Sequence, residues 1–438
     1  MGNLAEKECD FPAAQPGAGS GGRVYWKTIV ALALVSRLGI VWWILALHPP
    51  AWLFNNAQDL GFLAQSLSSG DGLSSPFGGS TGPTAFLAPG YPAVIGLIFH
   101  FFGSYSFASA AVILAMQTLF AVLTVAVVMH VARSLFCAAA ANLAGAFWAL
   151  SPPLFWLPAV FWDTGLSALL LIGMVALALQ CAGKPGMGLW AGMGAYSGLA
   201  VLVNPSLLPA LFGVVLWTAC QAGSSLGYEP LICFLVFLAI FTPWPIRNAL
   251  ALHAFIPLRS SFGYELWQGN HAGSTGIFDP TLYPLHSQRE YSDYAVQGEV
   301  AYVRNKSVIA RDYIRAHPGE FIRLSVRRIR LFWMGPSEAA LKMLEVHVVL
   351  TSLLGLLGLA MVSKWKWRVA ILFLQLLLVF PLPYYITHPD FRFRIVLDPL
   401  LTILSAYAIT RLSMFSKPVK ALYPPQLRER HRAHGKPA

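Results

Sequence analysis

Asp59 is placed by the sequence where a carboxylate can act as a base. It follows the first long apolar segment, in FNNAQDLGFLAQSL, which predicts a short helix with one apolar face. A carboxylate at a membrane–water boundary is partly desolvated, which raises its pKa and its basicity. The alternative is a helix-start acid favoured by the helix dipole. Asp71, in SSGDGL, has the composition of an ordinary turn.

Asp163 stands at the entry of a later apolar segment, in LPAVFWDTGLSALLL. An acid at the mouth of a membrane span is costly to bury and is functional by default. Its structural alternative is to cap the helix that begins behind it. The sequence alone leaves both interpretations open.

Two arginines precede the last apolar segment. Arg392 and Arg394 occur in THPDFRFRIVLDP, with His388 beside them. Guanidinium groups match phosphate oxygens bidentately, so these side chains are candidates for binding a lipid phosphate. The alternative is that Arg392 or Arg394 pairs with Asp390 or Asp398.

Other polar side chains predict a substrate cleft. FTPWPIRN ends an apolar segment with Arg247, a further candidate for phosphate binding, and SSFGYELWQGNHAGSTGIFD mixes amide, acidic and aromatic side chains as sugar binding prefers. A lone histidine is more often structural, so His271 is the weaker candidate. The predicted cleft residues are Asn248, Glu265, Asn270 and His271, with Tyr91 of the APGYP motif.

No cofactor is predicted. The sequence has no His or carboxylate cluster at metal spacing, and no P-loop, GxSxG or HExxH motif. Its five cysteines show neither metal spacing nor a disulfide framework. A divalent metal is left open but not indicated.

The composition is that of a membrane protein. Of 438 residues, 56% are hydrophobic and 11% are charged, against roughly 25% charge in soluble domains. The net charge of +11 comes without a continuous basic tract, so nucleic acid is not expected as a partner. Membrane lipids are the expected partners.

Hydropathy predicts about ten spans, each close to the length that crosses a bilayer. Basic residues concentrate in the short loops of one face, which places both termini in the cytoplasm and two long polar segments outside. The segment 92–102 is too short to span and is predicted to lie at the outer interface. The predicted spans are 27–47, 107–131, 138–157, 162–181, 188–203, 205–221, 229–246, 341–362, 367–386 and 393–412.

These spans divide the chain into five parts. Residues 1–24 are a disordered cytoplasmic N-terminus, and 25–246 are a transmembrane module that includes the catalytic outer loop 48–106. Residues 247–340 are an outer-face domain, 341–413 a second transmembrane module and 414–438 a basic cytoplasmic tail. In the outer-face domain, HPGEFIRLSVRRIRLFW predicts an amphipathic interfacial helix whose arginines meet lipid headgroups. A plain membrane-surface anchor is its simplest role.

The order of these motifs resembles that of the GT-C superfamily of membrane glycosyltransferases, in particular family 39 (the dolichyl-phosphate-mannose protein mannosyltransferases) and the bacterial aminoarabinose transferases. The resemblance covers most of the chain. It rests on QDLGFLAQSLSSGDGL, GPTAFLAPGYP, FWDTGLSALL, PWPIRN, GYELWQGN, HPGEFIRLSVRRIRLFW and HPDFRFRIVLDP. It implies an all-α polytopic fold: a GT-C-like bundle of about 10–11 transmembrane helices with interfacial helices in the first outer loop and a small outer-face domain.

The resemblance also implies a function. Such enzymes transfer sugar from a polyprenyl-phosphate donor to an acceptor on the outer face, here that of a bacterial-type inner membrane. Asp59 matches the general base, Asp163 the second acid, and Arg392 and Arg394 the positions that hold the donor phosphate, with Arg247 as an addition. Family members often carry a second acid beside the first, but here Gln58 and Leu60 flank Asp59. No Lys precedes PGYP, so metal use and the acceptor (protein, lipid or polysaccharide) stay open.

Two other functions fit a polytopic chain. A transporter or lipid flippase for glycolipid precursors would hold its charged groups near the midplane, on broken helices. Here they gather at the outer ends of spans, beside two large outer loops, which favours the enzyme. A non-catalytic assembly protein with a degraded site is the third possibility.

Overall fold

The computed structural model describes residues 23–183, 186–223, 226–335 and 342–415. Most of the predicted disordered N-terminus and basic tail lies outside these ranges. Within them the chain is almost entirely helical, and its only β-type pairing is an isolated antiparallel bridge between Ser74 and Pro83. The prediction of an all-α fold is confirmed.

The first half of the chain carries twelve helices in the described residues. The long ones pack side by side, with α5 against α1, α6 and α8, and α9 against α11. The helices are α1 (Trp26–Leu47), α2 (Pro50–Phe54), α3 (Gln58–Ser68), α4 (Gly90–Phe102), α5 (Phe107–Leu135), α6 (Ala138–Leu150), α7 (Pro152–Phe155), α8 (Thr164–Gly183), α9 (Met187–Val203), α10 (Leu208–Ala222), α11 (Glu229–Phe241) and α12 (Pro243–Leu252).

The second half begins with shorter helices and ends with long ones. α17 packs along α21, and α16 contacts both α17 and α19. The helices are α13 (Phe262–Gly269), α14 (Gln288–Gln297), α15 (Glu299–Ala316), α16 (Pro318–Met334), α17 (Lys342–Trp365), α18 (Trp367–Val379), α19 (Leu382–Ile386), α20 (Phe391–Ile395) and α21 (Asp398–Phe415).

Seven helical stretches of the described chain are long and apolar enough to cross a membrane, which makes this a multi-pass membrane protein. They are Trp26–Leu47, Phe107–Leu135, Thr164–Gly183, Pro205–Ala222, Glu229–Leu252, Lys342–Trp365 and Trp367–Ile386. The other three predicted spans are the helices α6, α9 and α21. α6 ends earlier than predicted, at Leu150, because two prolines follow Ser151 and proline cannot continue a helix. α4 has 13 residues and is too short to span, as predicted.

The helix α16 has the amphipathic form that the sequence predicts. Ile322, Val326 and Ile329 are exposed along one side. Arg323 is also exposed and pairs with Glu320 one turn earlier. An exposed apolar stripe beside arginines suits a helix at a membrane surface.

The two long polar segments pack against each other. Phe77 and Phe86 of the first segment join Tyr264, Tyr294 and other rings of the second in one buried aromatic cluster. Contact of this kind requires both segments to lie on the same side of the membrane, as the predicted topology has them. A cavity forms where they meet the helix ends.

Candidate functional site

A cavity of about 590 Å³ opens between the two polar segments and the ends of the apolar helices. Its walls come from the start of α3, the start of α4, the entry of α8, the loop before α10, the segment 259–286 and the stretch from α19 to α20. Six predicted site residues line it: Asp59, Tyr91, Asp163, Glu265, His388 and Arg392. Residues far apart in sequence therefore meet in one concave site.

Asp59 lies in the first turn of α3 and is 3% exposed. Its Oδ1 accepts a hydrogen bond from the backbone N–H of Leu60 (2.9 Å), and its Oδ2 accepts one from the hydroxyl of Tyr283 (2.5 Å). Burial raises the pKa of Asp59, and these bonds with the charge of Arg392 offset only part of that rise. The carboxylate is thus a stronger base than an exposed Asp.

Asp163 directly precedes the first residue of α8. Its Oδ2 accepts a hydrogen bond from the hydroxyl of Ser167 (2.6 Å), and Ser167 in turn accepts one from Asn204 (3.1 Å). Burial raises the pKa of Asp163, opposed by the Ser167 bond and by the charges of Arg392 and Arg259. Asp163 thus stands at the start of α8 and also lines the cavity.

Arg392 is held by two contacts that leave part of its guanidinium available. Its Nε donates to Asp390 Oδ2 (3.1 Å), and its Cζ lies 4.3 Å from the ring centroid of Trp162. Burial lowers the pKa of Arg392, but the nearby carboxylates of Asp390, Asp163 and Asp59 outweigh this and raise it. No acceptor in the described chain takes a hydrogen bond from its two terminal nitrogens, so an anion can approach them.

Glu265 and His388 form a pair in the cavity wall. His388 Nε2 lies 2.6 Å from Glu265 Oε2. Burial favours a raised pKa for Glu265, but the hydrogen bond from His388 and the positive charges of Arg259 and Arg392 bring that pKa below its ordinary value. Glu265 is therefore an anion at neutral pH, and His388 is committed to it rather than offered freely to a phosphate.

Arg394, which the sequence predicts as a phosphate ligand, does not line the cavity. It is 1% exposed, pairs with Asp398 and donates to the hydroxyls of Thr351 and Ser352 (3.1 Å each). Residues two apart on a helix point to different sides, so α20 cannot present Arg392 and Arg394 together. The pairing alternative is the one that describes Arg394.

Arg247 and Asn248 also lie outside the cavity lining. The two terminal nitrogens of Arg247 donate to the carbonyls of Leu73 and Thr84 (2.7 Å each), and Asn248 donates to the carbonyl of Ile256 (2.9 Å). These side chains fix the backbone of the two polar segments. The structure therefore places these two predicted site residues apart from the cavity.

Asn270 and His271 are two further predicted cleft residues that lie outside the cavity lining. Asn270 is 1% exposed, donates to the carbonyls of Leu266 and Ile386 (2.8 Å each) and accepts from the buried Arg328 (3.1 Å). His271 is partly exposed, with its ring 5.5 Å from that of Trp267. Neither lines the cavity.

The lining also includes residues outside the sequence-based site, among them Arg259, Tyr283, His286 and Trp162. Arg259 forms no hydrogen bond or ion pair with another described residue, and its charge acts on Asp163 and Glu265. Like Arg392, Arg259 is an arginine in a predicted outer loop, which is a sequence signal for this position. Tyr283 carries no local signal, because its partner Asp59 is 224 positions away.

The cavity brings acids together without a metal-ligand set. Within the described ranges, no three His, Cys, Asp or Glu side chains are grouped so that they could hold a metal ion. What the cavity residues do provide is a desolvated carboxylate beside arginines, an arrangement suited to proton abstraction next to a leaving anion.

No family model matches this sequence, and no curated protein matches it. Solved structures do match its fold. The oligosaccharyltransferase of Archaeoglobus fulgidus in its apo form aligns at a TM-score of 0.52 and 14% identity, covering 91% of this chain and 52% of that one. The same archaeal enzyme, AglB, in complex with an inhibitory peptide and a dolichol-phosphate aligns at 0.50 and 15%, covering 94% and 52%. The chain has the GT-C fold.

The chain spans about half the length of the archaeal enzyme that it matches. ArnT from Cupriavidus metallidurans, solved with undecaprenyl phosphate, aligns at a TM-score of 0.37 and 13% identity, covering 90% of this chain and 79% of that one. At these sequence identities, the structural similarity shows a shared fold only. The chemistry is inferred from the residues that line the cavity.

Proposed function

We propose that this chain is a membrane glycosyltransferase that moves a sugar from a polyprenyl-phosphate donor to a hydroxyl of an acceptor. The observation that carries the proposal is the shared cavity of Asp59 and Arg392, a buried carboxylate and an arginine with free terminal N–H groups. The GT-C fold supports it, and so does the dolichol-phosphate in the matched AglB structure.

In the proposed reaction Asp59 removes the proton of the acceptor hydroxyl as its oxygen attacks the anomeric carbon of the sugar. The bond from that carbon to the phosphate oxygen breaks, and the polyprenyl phosphate leaves with the electron pair. Arg392 stabilises the growing negative charge on the phosphate, because a guanidinium that is already held in place needs little reorganisation. A single displacement inverts the anomeric centre.

Asp163 and Arg259 complete the electrostatics of the proposed site. Asp163 lies close enough to Arg392 and Arg259 for the three charges to influence one another. In the proposal it holds the arginines in place for the phosphate. Arg259, which has no protein partner among the described residues, offers a second donor for the same anion.

The proposed setting is the inner membrane of a bacterial-type cell, with both termini cytoplasmic and the cavity on the outer face. The concentration of Lys and Arg in the opposite short loops supports this orientation. The proposal also includes the division of the chain into five parts, with boundaries after residues 24, 246, 340 and 413. α16, with its exposed apolar stripe, contacts the outer leaflet.

The test is release of free polyprenyl phosphate from polyprenyl-phosphate sugars by the purified protein. We expect Asp59→Asn to lower the rate by about 10²–10⁴-fold, the usual contribution of a general base. Asp71→Asn is the matched control, because Asp71 is an exposed acid of the same loop and should keep full activity. Full activity of folded Asp59→Asn would remove Asp59 as the base.

The same preparation separates the enzyme from a transporter or flippase. Proteoliposomes that move a labelled donor lipid across the bilayer, yet release no polyprenyl phosphate with any donor, would contradict the transferase. A protein that does neither would be an assembly factor with a degraded site.

A further inference from the structure

Tyr283 reaches the proposed base from the opposite polar segment. Its hydroxyl donates to Asp59 Oδ2 at 2.5 Å, and this contact joins residues 224 positions apart. Tyr283 follows the one-turn helix Pro280–Leu282 and lines the cavity beside Asp59. The hydrogen bond is thus made inside the proposed active site by a residue of the second polar segment.

The ring of Tyr283 is wedged in place. It lies edge-on to Phe77 and Phe278, with ring centroids 5.5 and 5.4 Å away, and tilted against Tyr264 at 6.1 Å. The backbone beside it is also fixed, because the hydroxyl of Tyr264 donates to the carbonyl of Leu282 (3.1 Å). A phenol packed on several sides cannot swing away from the carboxylate without disturbing the aromatic cluster.

We propose that Tyr283 is a positioning residue for Asp59, which holds its carboxylate in one orientation and favours its ionised form. This inference rests on the proposed role of Asp59 as the base. A carboxylate offers about four acceptor sites on its two oxygens. Leu60 and Tyr283 use one site on each oxygen, so the hydroxyl of an acceptor can still approach.

The groups around Asp59 determine in which direction its pKa changes when the Tyr283 hydroxyl is removed. Burial raises the pKa of Asp59, and the Tyr283 hydrogen bond lowers it because the bond stabilises the anion. Tyr283 itself stays a neutral donor, since burial and the nearby Asp59 raise the pKa of its phenol. The other titratable or charged groups of the cavity are Asp163 before α8, Tyr91 of α4, Arg259, Glu265 of α13, His286, Tyr384 of α19, His388, Asp390 and Arg392 of α20.

The pH dependence of activity reflects the ionisation of Asp59. Asp59 must be ionised to accept a proton, so activity falls as the pH drops through its pKa. Without the phenol the pKa of Asp59 rises, and the acid limb of the kcat/KM profile moves to higher pH. Loss of one hydrogen bond to a charged group corresponds to a shift of about one pH unit.

The experiment is the pH profile of kcat/KM for donor turnover by full-length Tyr283→Phe. We expect about a tenfold loss below the acid limb, recovering towards the wild-type rate at high pH. Tyr291→Phe is the matched control: it removes a phenol from the same outer region, where the hydroxyl faces the carbonyl of Gly78 at 3.4 Å rather than Asp59. Its profile should be that of the wild type.

A purely structural role gives a different result. If Tyr283→Phe lowers the rate by one factor at every pH, or leaves the profile unchanged, the positioning role is wrong. The infrared carboxylate signal that Asp59→Asn removes provides a readout independent of turnover, and its titration should shift in Tyr283→Phe. Activity of Asp59→Asn would instead overturn the proposed base, so the two failures are distinguishable.

Discussion

At the scale of single residues, the proposed site depends on how one arginine is held. The guanidinium carbon of Arg392 lies 4.3 Å from the ring centroid of Trp162, while its Nε is bonded to Asp390. A planar group held on one edge and one face keeps its remaining donors in a fixed direction. The same contacts position Arg392 against Asp59 and Asp163 and balance their charge.

We therefore expect Arg392→Lys to weaken donor binding although the charge is kept. An ammonium loses the stacking on Trp162 and the forked donor geometry, so the KM for the donor should rise by about tenfold, close to the effect of losing a contact of 1–2 kcal/mol. The measurement is donor KM in detergent or proteoliposomes. Arg304→Lys, on the exposed side of α15, is the control; an equal rise there would point to a general effect of lysine.

The sequence predicts those site residues that can be recognised from their immediate neighbours along the chain. Asp59 and Asp163, which both line the cavity, are predicted because each lies at the end of an apolar segment, a feature visible in a short stretch of sequence. Tyr283 is not, because its meaning comes from a contact across 224 positions. Arg394 was assigned to the phosphate for the same local reason as Arg392, and only the geometry of α20 separates the two.

At the scale of elements, small residues decide how closely the apolar helices pack. A Cβ on Gly194 of α9 would clash with the carbonyl oxygen of Cys233 on α11. One on Gly358 of α17 would clash with the carbonyl oxygen of Leu404 on α21. Close backbone approach through glycine is the usual way in which membrane helices associate. Hydropathy located these helices, but their partners depend on surface shape, which hydropathy does not describe.

The pair Gly194→Ala and Gly192→Ala tests this packing within one helix. Gly194→Ala must push α9 and α11 apart, and overpacking of this kind costs about 1–3 kcal/mol. A Cβ on Gly192 meets nothing within 4 Å, so Gly192→Ala should be neutral or stabilise by up to about 1 kcal/mol through helix propensity. Thermal unfolding of the detergent-solubilised variants measures the difference. Equal midpoints for the two variants would argue against close contact of α9 and α11.

At the scale of the whole molecule, the cavity depends on contacts between the two long polar segments. Glu299, at the start of α15, is 5% exposed and belongs to the second segment. Its carboxylate accepts from the hydroxyl of Thr84 and from the backbone N–H of Ala85 (2.8 Å) in the first segment, and from the hydroxyl of Tyr294 (2.8 Å). The buried acid thus bonds across the junction that places Tyr283 beside Asp59.

Glu299→Ala should accordingly loosen both segments at once. Three buried donors would lose their acceptor, and each unsatisfied group costs about 1–3 kcal/mol. Hydrogen exchange should then speed up in 73–87 and in 278–286 together, and donor turnover should fall because Tyr283 and Asp59 separate. Asp312→Ala, which removes a largely exposed acid of α15, is the control and should leave both segments protected. If exchange in Glu299→Ala rose only around α14 and α15 while 73–87 stayed protected, the junction would be held by the aromatic cluster alone, and the carboxylate would have no part in closing the cavity.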